Sequence, residues 1–375
     1  MEFTYLMQAI QTVAEPMNFA IAVISTLAGL VMGMLPGLSA TMAIALLTGL
    51  TYNLPTQSAL ISLLGVYVGS ISGGCQSAIL LNIPGTPASA ATASDGFPMA
   101  NQGKGGFAIF LATTASCLGT LLSVVCVMAF TPLLTSISLK FGAWEFFLLA
   151  IFGIVICGSL TSGDNALKGW IAGIMGLFIA QIGLDKLSAM PRFCFGSINL
   201  MSGVQLIPVM IGLFGFPEII KAFRKNEEKI LKMSPFHVKE GFKEIGWNFV
   251  AIVRSSLIGV GVGIIPGVGE DVGGWLSYWA SKATSKEPET FGKGNPKGVI
   301  SAESGNNACI GGAIIPVLSL AVPGSAPAAV LLAAFLMHGY RPGPLLMNET
   351  PEFLYQVCIY LAASAIIMWF FSLIL

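Results

Sequence analysis

Polar side chains able to bind an anion or a cation lie beside four Pro-Gly steps of the chain. A proline interrupts the helical hydrogen-bond ladder, so such a step leaves backbone N–H and C=O groups that need other partners. Neutral amide and hydroxyl groups at a break can coordinate a carboxylate or a cation without burying a charge. We therefore predict a binding site for a substrate at the breaks. Its candidate residues are Asn82, Pro84, Gly85, Thr86, Ser304, Asn306, Asn307, Pro323, Gly324 and Ser325.

Acidic residues near the same breaks could bind a coupling cation or a proton. A carboxylate at the centre of a membrane-spanning helix costs about 2.5 to 3.5 kcal/mol on insertion scales, so a deeply placed acid indicates function. The alternative is a position at the membrane interface, where acids cost little. The two placements are equally open for Glu270, and the deep one is favoured for Asp271 and Glu303. The candidates for ion coupling are Gly37, Ser39, Asp95, Gly267, Asp271 and Glu303.

The composition indicates the environment of these residues. The chain has 375 residues, of which 55% are hydrophobic and 10% are charged. Soluble proteins carry about 25% charged residues, so an ordinary soluble protein is excluded and the lipid bilayer is the expected solvent. The 18 basic and 18 acidic residues cancel, which gives no indication of a nucleic-acid partner. The seven cysteines stand singly, so neither a disulfide framework nor a metal site is predicted.

Apolar runs define the predicted spanning segments, since a spanning helix needs about 20 residues. Two runs, 16–52 and 246–280, are too long for one crossing and contain Pro36-Gly37 and Pro266-Gly267, so each must break or fold back. Single crossings are predicted near 56–83, 106–133, 143–160, 166–183, 200–220, 299–322 and 352–375.

The basic residues favour a re-entrant hairpin for residues 246–280. Lysine and arginine crowd the segments 221–243 and 282–297 on either side of this run. Cytoplasmic loops collect basic residues. A single crossing would place one of the two segments outside, whereas a hairpin keeps both inside. If the two segments are only solvated linkers, the topology stays open.

An internal repeat organises the chain. The segment Gly29–Leu38 matches the segment Gly259–Val268 in every Gly and Pro of the first copy, at a spacing of 230 residues. Pro84-Gly85-Thr86 then matches Pro323-Gly324-Ser325 in the same order. We predict an all-α polytopic membrane protein with two related, inverted repeats that contain broken or re-entrant helices. The predicted divisions are 1–200, the first unit; 201–245, a spanning segment and basic cytoplasmic loop; 246–345, the second unit; and 346–375, a C-terminal spanning segment.

Paired breaks in corresponding halves are typical of secondary transporters. We therefore predict alternating access around a site near the membrane midplane. Two other classes stay open. An intramembrane enzyme would use Glu270, Asp271 and Glu303 as acid/base or metal groups, although no HExxH or comparable spacing occurs. A channel would conduct faster than a carrier and need no soluble partner.

The chain resembles the large membrane subunit of the bacterial tripartite tricarboxylate transporter family over roughly residues 17–346. The resemblance rests on these segments: Gly33-Met-Leu-Pro36-Gly37-Leu; Asn82-Ile-Pro84-Gly85-Thr86-Pro87-Ala88-Ser89-Ala90-Ala91-Thr92 with Asp95-Gly96-Phe97-Pro98-Met99; Phe291-Gly292-Lys293-Gly294; Glu303-Ser304-Gly305-Asn306-Asn307-Ala308; Pro323-Gly324-Ser325; and His338-Gly339-Tyr340-Arg341-Pro342-Gly343-Pro344.

The resemblance implies a multipass permease of the bacterial inner membrane. It implies two partners, a small membrane subunit and a periplasmic solute-binding protein that delivers a carboxylate such as citrate. It also implies uptake driven by a gradient of Na⁺ or H⁺, without a cofactor, and no G-x-x-x-x-G-K-[S/T] pattern for ATP occurs. Family members generally continue with further spanning segments, so the chain is expected to be either a short member or a truncated copy.

Overall fold

The computed structural model describes residues 2–35, 37–145, 166–185, 190–204 and 238–374, together with positions 147–148, 151–152, 155, 209 and 220. These residues form an all-α protein whose only strands are the antiparallel pair β1 (Gly183–Leu184) and β2 (Pro191–Arg192). Four helices among them are long and apolar enough to cross a membrane. The predicted all-α polytopic fold is thereby confirmed.

The helices are numbered in chain order. They are α1 (Glu2–Ala14), α2 (Pro16–Met34), α3 (Ala40–Thr51), α4 (Thr56–Leu81), α5 (Ala90–Met99), α6 (Gly105–Ser138), α7 (Ala166–Ala180), α8 (Val238–Trp247), α9 (Phe249–Ile264), α10 (Gly269–Ala283), α11 (Pro296–Leu320), α12 (Ala326–Met337), α13 (Leu346–Glu349) and α14 (Glu352–Ser372). A 3-10 turn, Pro87–Ser89, leads into α5, and a π turn, Ala100–Lys104, joins α5 to α6.

Most of the predicted spanning segments coincide with helices where the chain is described, but residues 181–183 and 201–204 are not helical. The apolar helices are α2, α4, the stretch Pro87–Ser138, which is kinked at Gly103 (φ 79°), and α14. Helix α11 occupies the predicted run 299–322 but is not among these four, because polar residues such as Glu303 and Asn306 interrupt its apolar surface. Helix α7 has only 15 residues. The predicted runs 143–160 and 200–220 lie mostly outside the described residues, as does the basic segment 221–232.

The chain folds back within residues 246–280, as predicted. Near the start of α9, the Arg254 guanidinium donates to the hydroxyls of Ser281 and Thr284 at the end of α10, each at 2.5 Å. The Ser277 hydroxyl also donates to the backbone carbonyl of Ser255 at 3.2 Å. Because the start of α9 lies beside the end of α10, the two helices are antiparallel and the chain reverses between residues 264 and 269.

Corresponding breaks in the two predicted units have corresponding geometry. Helix α4 ends at Asn82 in the left-handed region (φ 55°), and α11 ends at Ala321 in the same conformation (φ 56°). In the first unit the N–H of Gly85 donates to the carbonyl of Gly74 at 3.3 Å. In the second, Gly324 donates in the same way to the carbonyl of Ala313 at 3.4 Å.

In each unit the same break packs against the helix that precedes the first Pro-Gly step, which is α2 or α9. A Cβ on Gly85 would collide with the carbonyl oxygen of Gly33 at the end of α2. A Cβ on Gly324 would collide with the carbonyl oxygen of Gly263 at the end of α9. These matched contacts support the duplication proposed from the sequence. The inverted orientation of the units and the four divisions of the chain stay predictions.

Helices α4 and α11 form the centre of the protein. Both are buried along nearly their whole length. Helix α2 packs along α4, and helices α6, α9 and α10 pack along α11. Glycines permit these close approaches: a Cβ on Gly29 of α2 would lie 2.6 Å from the carbonyl oxygen of Val66 in α4. Polar residues on α4 and α11 are therefore enclosed by neighbouring helices.

Candidate functional site

A buried carboxylate, that of Glu303, lies where four helical elements of the two units meet. Its oxygen Oε1 accepts from the Thr92 hydroxyl of α5 at 2.5 Å, and Oε2 accepts from the Ser116 hydroxyl of α6 at 2.7 Å. The side-chain nitrogens of Asn306 and Asn307 lie 3.4 and 3.3 Å from Oε1 and Oε2. These residues, together with Ser72 of α4, form the Glu303 cluster, and all six are buried.

A chain of hydrogen bonds fixes the orientation of the two amides. The Ser72 hydroxyl donates to Asn307 Oδ1 at 2.6 Å, and Asn307 Nδ2 donates to Asn306 Oδ1 at 2.5 Å. Asn306 Nδ2 donates to the backbone carbonyl of Ala88 at 3.0 Å. Because both amide oxygens already accept a hydrogen bond, both amide nitrogens are directed towards Glu303.

The Glu303 carboxylate is held by neutral donors alone. No ion pair in the described part of the chain reaches it. Its four donors are two hydroxyls and two amides, which supply partial charge but no compensating positive charge. A buried carboxylate without a basic partner is costly in a low-dielectric interior. The arrangement is therefore suited to the binding and release of a positive ion.

A second carboxylate, that of Glu270, is held at the second break of the second unit. Its oxygen Oε1 accepts from the Tyr67 phenol of α4 and from the Ser325 hydroxyl, the latter at 2.8 Å. The Ser325 oxygen also accepts from the N–H of Ala328 and thereby caps α12 at 3.3 Å. Tyr67, Glu270 and Ser325, all buried, form the Glu270 cluster.

Two buried hydroxyls at the second break of the first unit have no hydrogen-bond partner among the described residues. They belong to Thr86, which precedes the Pro87–Ser89 turn, and to Ser89, the last residue of that turn. Both oxygens lie 2.6 Å from the place that a Cβ on Gly74 would occupy, so they are neighbours facing α4. Nine buried hydroxyls among the described residues lack such a partner, and these two are distinguished by their position together at a predicted substrate break.

The structure separates the predicted binding residues into three groups. Asn306, Asn307 and Ser325 lie in the two clusters, and Thr86 has an unpartnered hydroxyl. Pro84, Gly85, Pro323 and Gly324 form the breaks, where the glycines permit close packing. Asn82 is exposed, and in the described part of the chain no hydrogen bond joins it to either cluster. Ser304 donates to the carbonyl of Ile300 in its own helix at 2.7 Å.

The ion-coupling candidates also separate. Glu303 lies at the centre of its cluster, whereas the side chain of Asp271 is exposed and that of its neighbour Glu270 is buried. The reason is that successive residues of a helix point about 100° apart, so only one of the two faces the interior. The depth of these acids in the membrane stays a prediction. Gly37 and Gly267 have positive φ values at the breaks, and Ser39 accepts from the N–H of Met42 as the cap of α3.

Asp95 anchors a loop. Its Oδ1 accepts three backbone N–H bonds at 2.8 Å, from Gly292, Gly294 and Asn295. These bonds fix the loop that precedes α11, which explains why a buried acid occurs here without a basic partner. Its other oxygen, Oδ2, is buried without a hydrogen-bond partner among the described residues. The geometry therefore gives Asp95 a structural role through Oδ1, and its predicted role in ion coupling stays a prediction.

Four members of the clusters are not among the candidates predicted from the sequence. They are Tyr67, which meets Glu270 through helix packing, and Ser72, Thr92 and Ser116, which join the Glu303 cluster in the same way. Tyr67 left a weak signal, since a phenol within the apolar run 56–83 needs a polar partner when it is buried. The sequence gives no such signal for Thr92 and Ser116, because the hydroxyl of a Ser or Thr in a spanning helix commonly bonds to the backbone of its own helix.

The match of the chain to known families decides the class of protein to which these clusters belong. Residues 19–375 match the family described as the tripartite tricarboxylate transporter TctA family. The chain belongs to this family. The resemblance seen in the Pro-Gly motifs is thereby confirmed, and TctA is a family of transporters, which argues against the enzyme alternative.

Two curated proteins of Agrobacterium vitis are similar to this TctA family member. The "Uncharacterized 52.8 kDa protein in TAR-I ttuC' 3'region" is 34% identical over 355 residues, which cover 92% of this chain and 69% of that protein. The "Uncharacterized protein in TAR-II ttuC' 3'region" is 34% identical over 96 residues, which cover 26% of this chain and 40% of that protein. No solved structure matches the chain.

Proposed function

We propose that the protein is the large permease subunit of a tripartite transporter for a tricarboxylate or related carboxylate, such as citrate. It would act in the bacterial inner membrane, with a periplasmic solute-binding protein and a small membrane subunit as partners. Uptake would be driven by a gradient of Na⁺ or H⁺. The observation that supports this proposal is the Glu303 cluster, a buried carboxylate held by neutral donors from both units of a TctA family member.

The energetics of such coupling are adequate. One elementary charge that moves through a membrane potential of 100 mV releases about 2.3 kcal/mol. A few coupled cations could therefore drive the accumulation of a multiply charged anion. Glu303 would supply the site at which a coupled cation enters the protein interior.

The second unit shows how a break can bind a carboxylate. There the Ser325 hydroxyl, at the start of α12, binds the carboxylate of the chain's own Glu270. The partial positive charge of a helix N-terminus favours an anion at this place. In the first unit Thr86 corresponds to Ser325, and at the spacing of the repeat Ala40 corresponds to Glu270. The first unit thus has hydroxyls at the break but no carboxylate of its own to bind them. We propose that a carboxylate of the substrate binds the hydroxyls of Thr86 and Ser89.

The partners and the bilayer would occupy the apolar exterior. Large apolar side chains are exposed on α2 and on nearly every side of α7, among them Phe19, Ile24, Trp170 and Phe178. Lipid is the expected contact for most of this surface. The small membrane subunit would cover part of it.

Uptake of labelled citrate by the complete transporter, reconstituted in vesicles with the binding protein, tests the proposed function. We expect accumulation only when the binding protein and an ion gradient are both present. The variants Thr86→Val and Ser89→Ala should each raise the citrate concentration needed for half-maximal uptake. The control is Ser136→Ala, which removes an exposed hydroxyl that binds only its own helix. Ion flux without the binding protein would instead favour a channel.

A further inference from the structure

We infer that the ion bound at Glu303 is a proton, which Oε2 accepts while the Ser116 hydroxyl reverses its hydrogen bond. The inference rests on the proposed function, in which Glu303 is the coupling site, and it adds the identity of the ion. It also assigns Ser116 as a positioning residue. The hydrogen bonds around the carboxylate support it in three ways.

The first argument is the chemistry of the neighbours. Hard cations such as Na⁺ take oxygen ligands. The two amides present nitrogen to Glu303, and an amide N–H can donate a hydrogen bond but cannot coordinate a cation. Their oxygens cannot turn towards the site, because Asn307 Oδ1 accepts from Ser72 and Asn306 Oδ1 accepts from Asn307. Among the described side chains that bind Glu303, only the Thr92 and Ser116 hydroxyls present an oxygen, and two are few to replace the hydration shell of a metal cation.

The second argument is that Ser116 has two acceptors for its one proton. Its Oγ lies 2.7 Å from Glu303 Oε2 and 2.9 Å from the carbonyl oxygen of Ala112. When Glu303 is ionised, the hydroxyl donates to Oε2. When one proton binds to Oε2, the new O–H donates to Ser116 Oγ, and the Ser116 proton rotates to Ala112. Every polar atom keeps a partner in both states, and the same proton leaves Oε2 on release.

The third argument is a direct connection to the substrate break. Asn306 Nδ2 lies 3.4 Å from Glu303 Oε1 and 3.0 Å from the carbonyl oxygen of Ala88. Ala88 lies within the Pro87–Ser89 turn, between the unpartnered hydroxyls of Thr86 and Ser89. An ionised Glu303 attracts the amide, and a protonated one attracts it less. The charge on Glu303 therefore acts on the turn proposed to bind the substrate carboxylate.

Other titratable groups on the surrounding helices are already engaged or neutral. The buried ones on α4, α5, α6 and α10 are Tyr67, Cys75, Asp95, Cys117, Glu270 and Tyr278. None of them shares a hydrogen bond with Glu303 in the described part of the chain. Asp95 is bound by the loop before α11, and Glu270 by Tyr67 and Ser325. Arg254 of α9 binds Ser281 and Thr284. Glu303 is therefore the carboxylate whose charge faces the amides.

Infrared difference spectroscopy of the purified full chain tests proton binding without any assumption about transport. A step from high to low pH should produce C=O bands of protonated carboxyl groups, and the wild-type spectrum minus that of Glu303→Gln should contain one such band. Glu289→Gln, which changes an exposed acid, should keep the band assigned to Glu303. The Ser116 hydroxyl binds the ionised carboxylate more strongly than the neutral one, so Ser116→Ala should move the midpoint of this band up by about one pH unit. A Glu303→Gln spectrum that lacks no carboxyl band of the wild type would overturn the inference.

Uptake by the reconstituted transporter gives the second test. A pH gradient in Na⁺-free buffer should drive citrate uptake together with proton entry, reported by an internal pH dye. Uptake that requires Na⁺ and moves no protons would overturn the inference but leave the proposed function intact. If the wild-type transporter takes up no carboxylate under any gradient, the proposed function fails, while the infrared result still decides whether Glu303 binds a proton.

Discussion

Tyr67, near the middle of α4, donates its phenolic O–H to the carboxylate of Glu270 at the start of α10. The two residues are 203 positions apart and belong to different predicted units. Ser325 completes the contact at 2.8 Å from the same carboxylate oxygen. The Glu270 cluster thus joins α4 to the second break of the second unit, and a movement of one unit against the other would have to break this bond.

We expect Tyr67→Phe to lower the free energy of unfolding by about 1.5 to 3 kcal/mol, the range for a hydrogen bond to a charged group. The variant keeps the ring and loses only the donor to Glu270. Thermal unfolding of the protein in detergent would measure the change. The control Tyr52→Phe alters a tyrosine that is 69% exposed and should have almost no effect. Equal stability of the two variants would contradict the importance of the bond.

We expect stability to depend on the backbone conformation of Asn82, and we expect neither stability nor uptake to depend on its side-chain amide. It ends α4 with φ 55°, a conformation that glycine adopts freely and a β-branched residue adopts only with strain. Asn82→Gly should therefore keep both stability and citrate uptake, whereas Asn82→Val should be destabilised by about 1 to 3 kcal/mol. Loss of uptake in a folded Asn82→Gly variant would restore the amide as a substrate ligand, as the sequence suggested.

Asp95 should control the loop before α11. Asp95→Ala leaves three backbone N–H groups without their acceptor, and we expect faster amide exchange at Gly292, Gly294 and Asn295. Asp95→Asn keeps one acceptor oxygen and should have a smaller effect. Hydrogen-exchange mass spectrometry of the peptide that covers these residues would measure both. Unchanged exchange combined with an altered ion dependence of uptake would favour the coupling role predicted from the sequence.

Gly85 and Gly324 should respond alike to a single methyl group. A Cβ on Gly85 would collide with a carbonyl at the end of α2, and a Cβ on Gly324 with a carbonyl at the end of α9. Each change to Ala should therefore lower the free energy of unfolding by about 1 to 3 kcal/mol. Gly49→Ala is the matched control, since nothing lies within 4 Å of a Cβ there and alanine favours the helix. Thermal unfolding of all three variants would test whether the two breaks are equivalent. If the change to Ala lowers stability at one break and not at the other, the two breaks are not equivalent.

The sequence predicted the helices and the breaks well, because both depend on local patterns. Twenty-residue apolar runs and Pro-Gly steps act on the backbone wherever they occur. The fold-back between α9 and α10 followed from the excess length of the run and from the basic residues beside it. The family match over residues 19–375 agrees with the motifs at these breaks.

The partners of the buried acids could not be predicted in this way. Glu270 and Asp271 are adjacent and chemically alike, so only the rotation of α10 against α4 decides which of them meets Tyr67. Asp95 was predicted to bind an ion, yet one of its two carboxylate oxygens, Oδ1, is occupied by a loop almost 200 residues later in the chain.

The sequence by itself determined that this is a membrane protein with broken helices, a repeated pair of Pro-Gly steps and a few acids beside them. The tertiary structure alone decided that Thr92, Ser116, Asn306 and Asn307 converge on Glu303. The physical reason is that composition and spacing fix local backbone geometry, whereas the environment of a charge depends on which helices surround it.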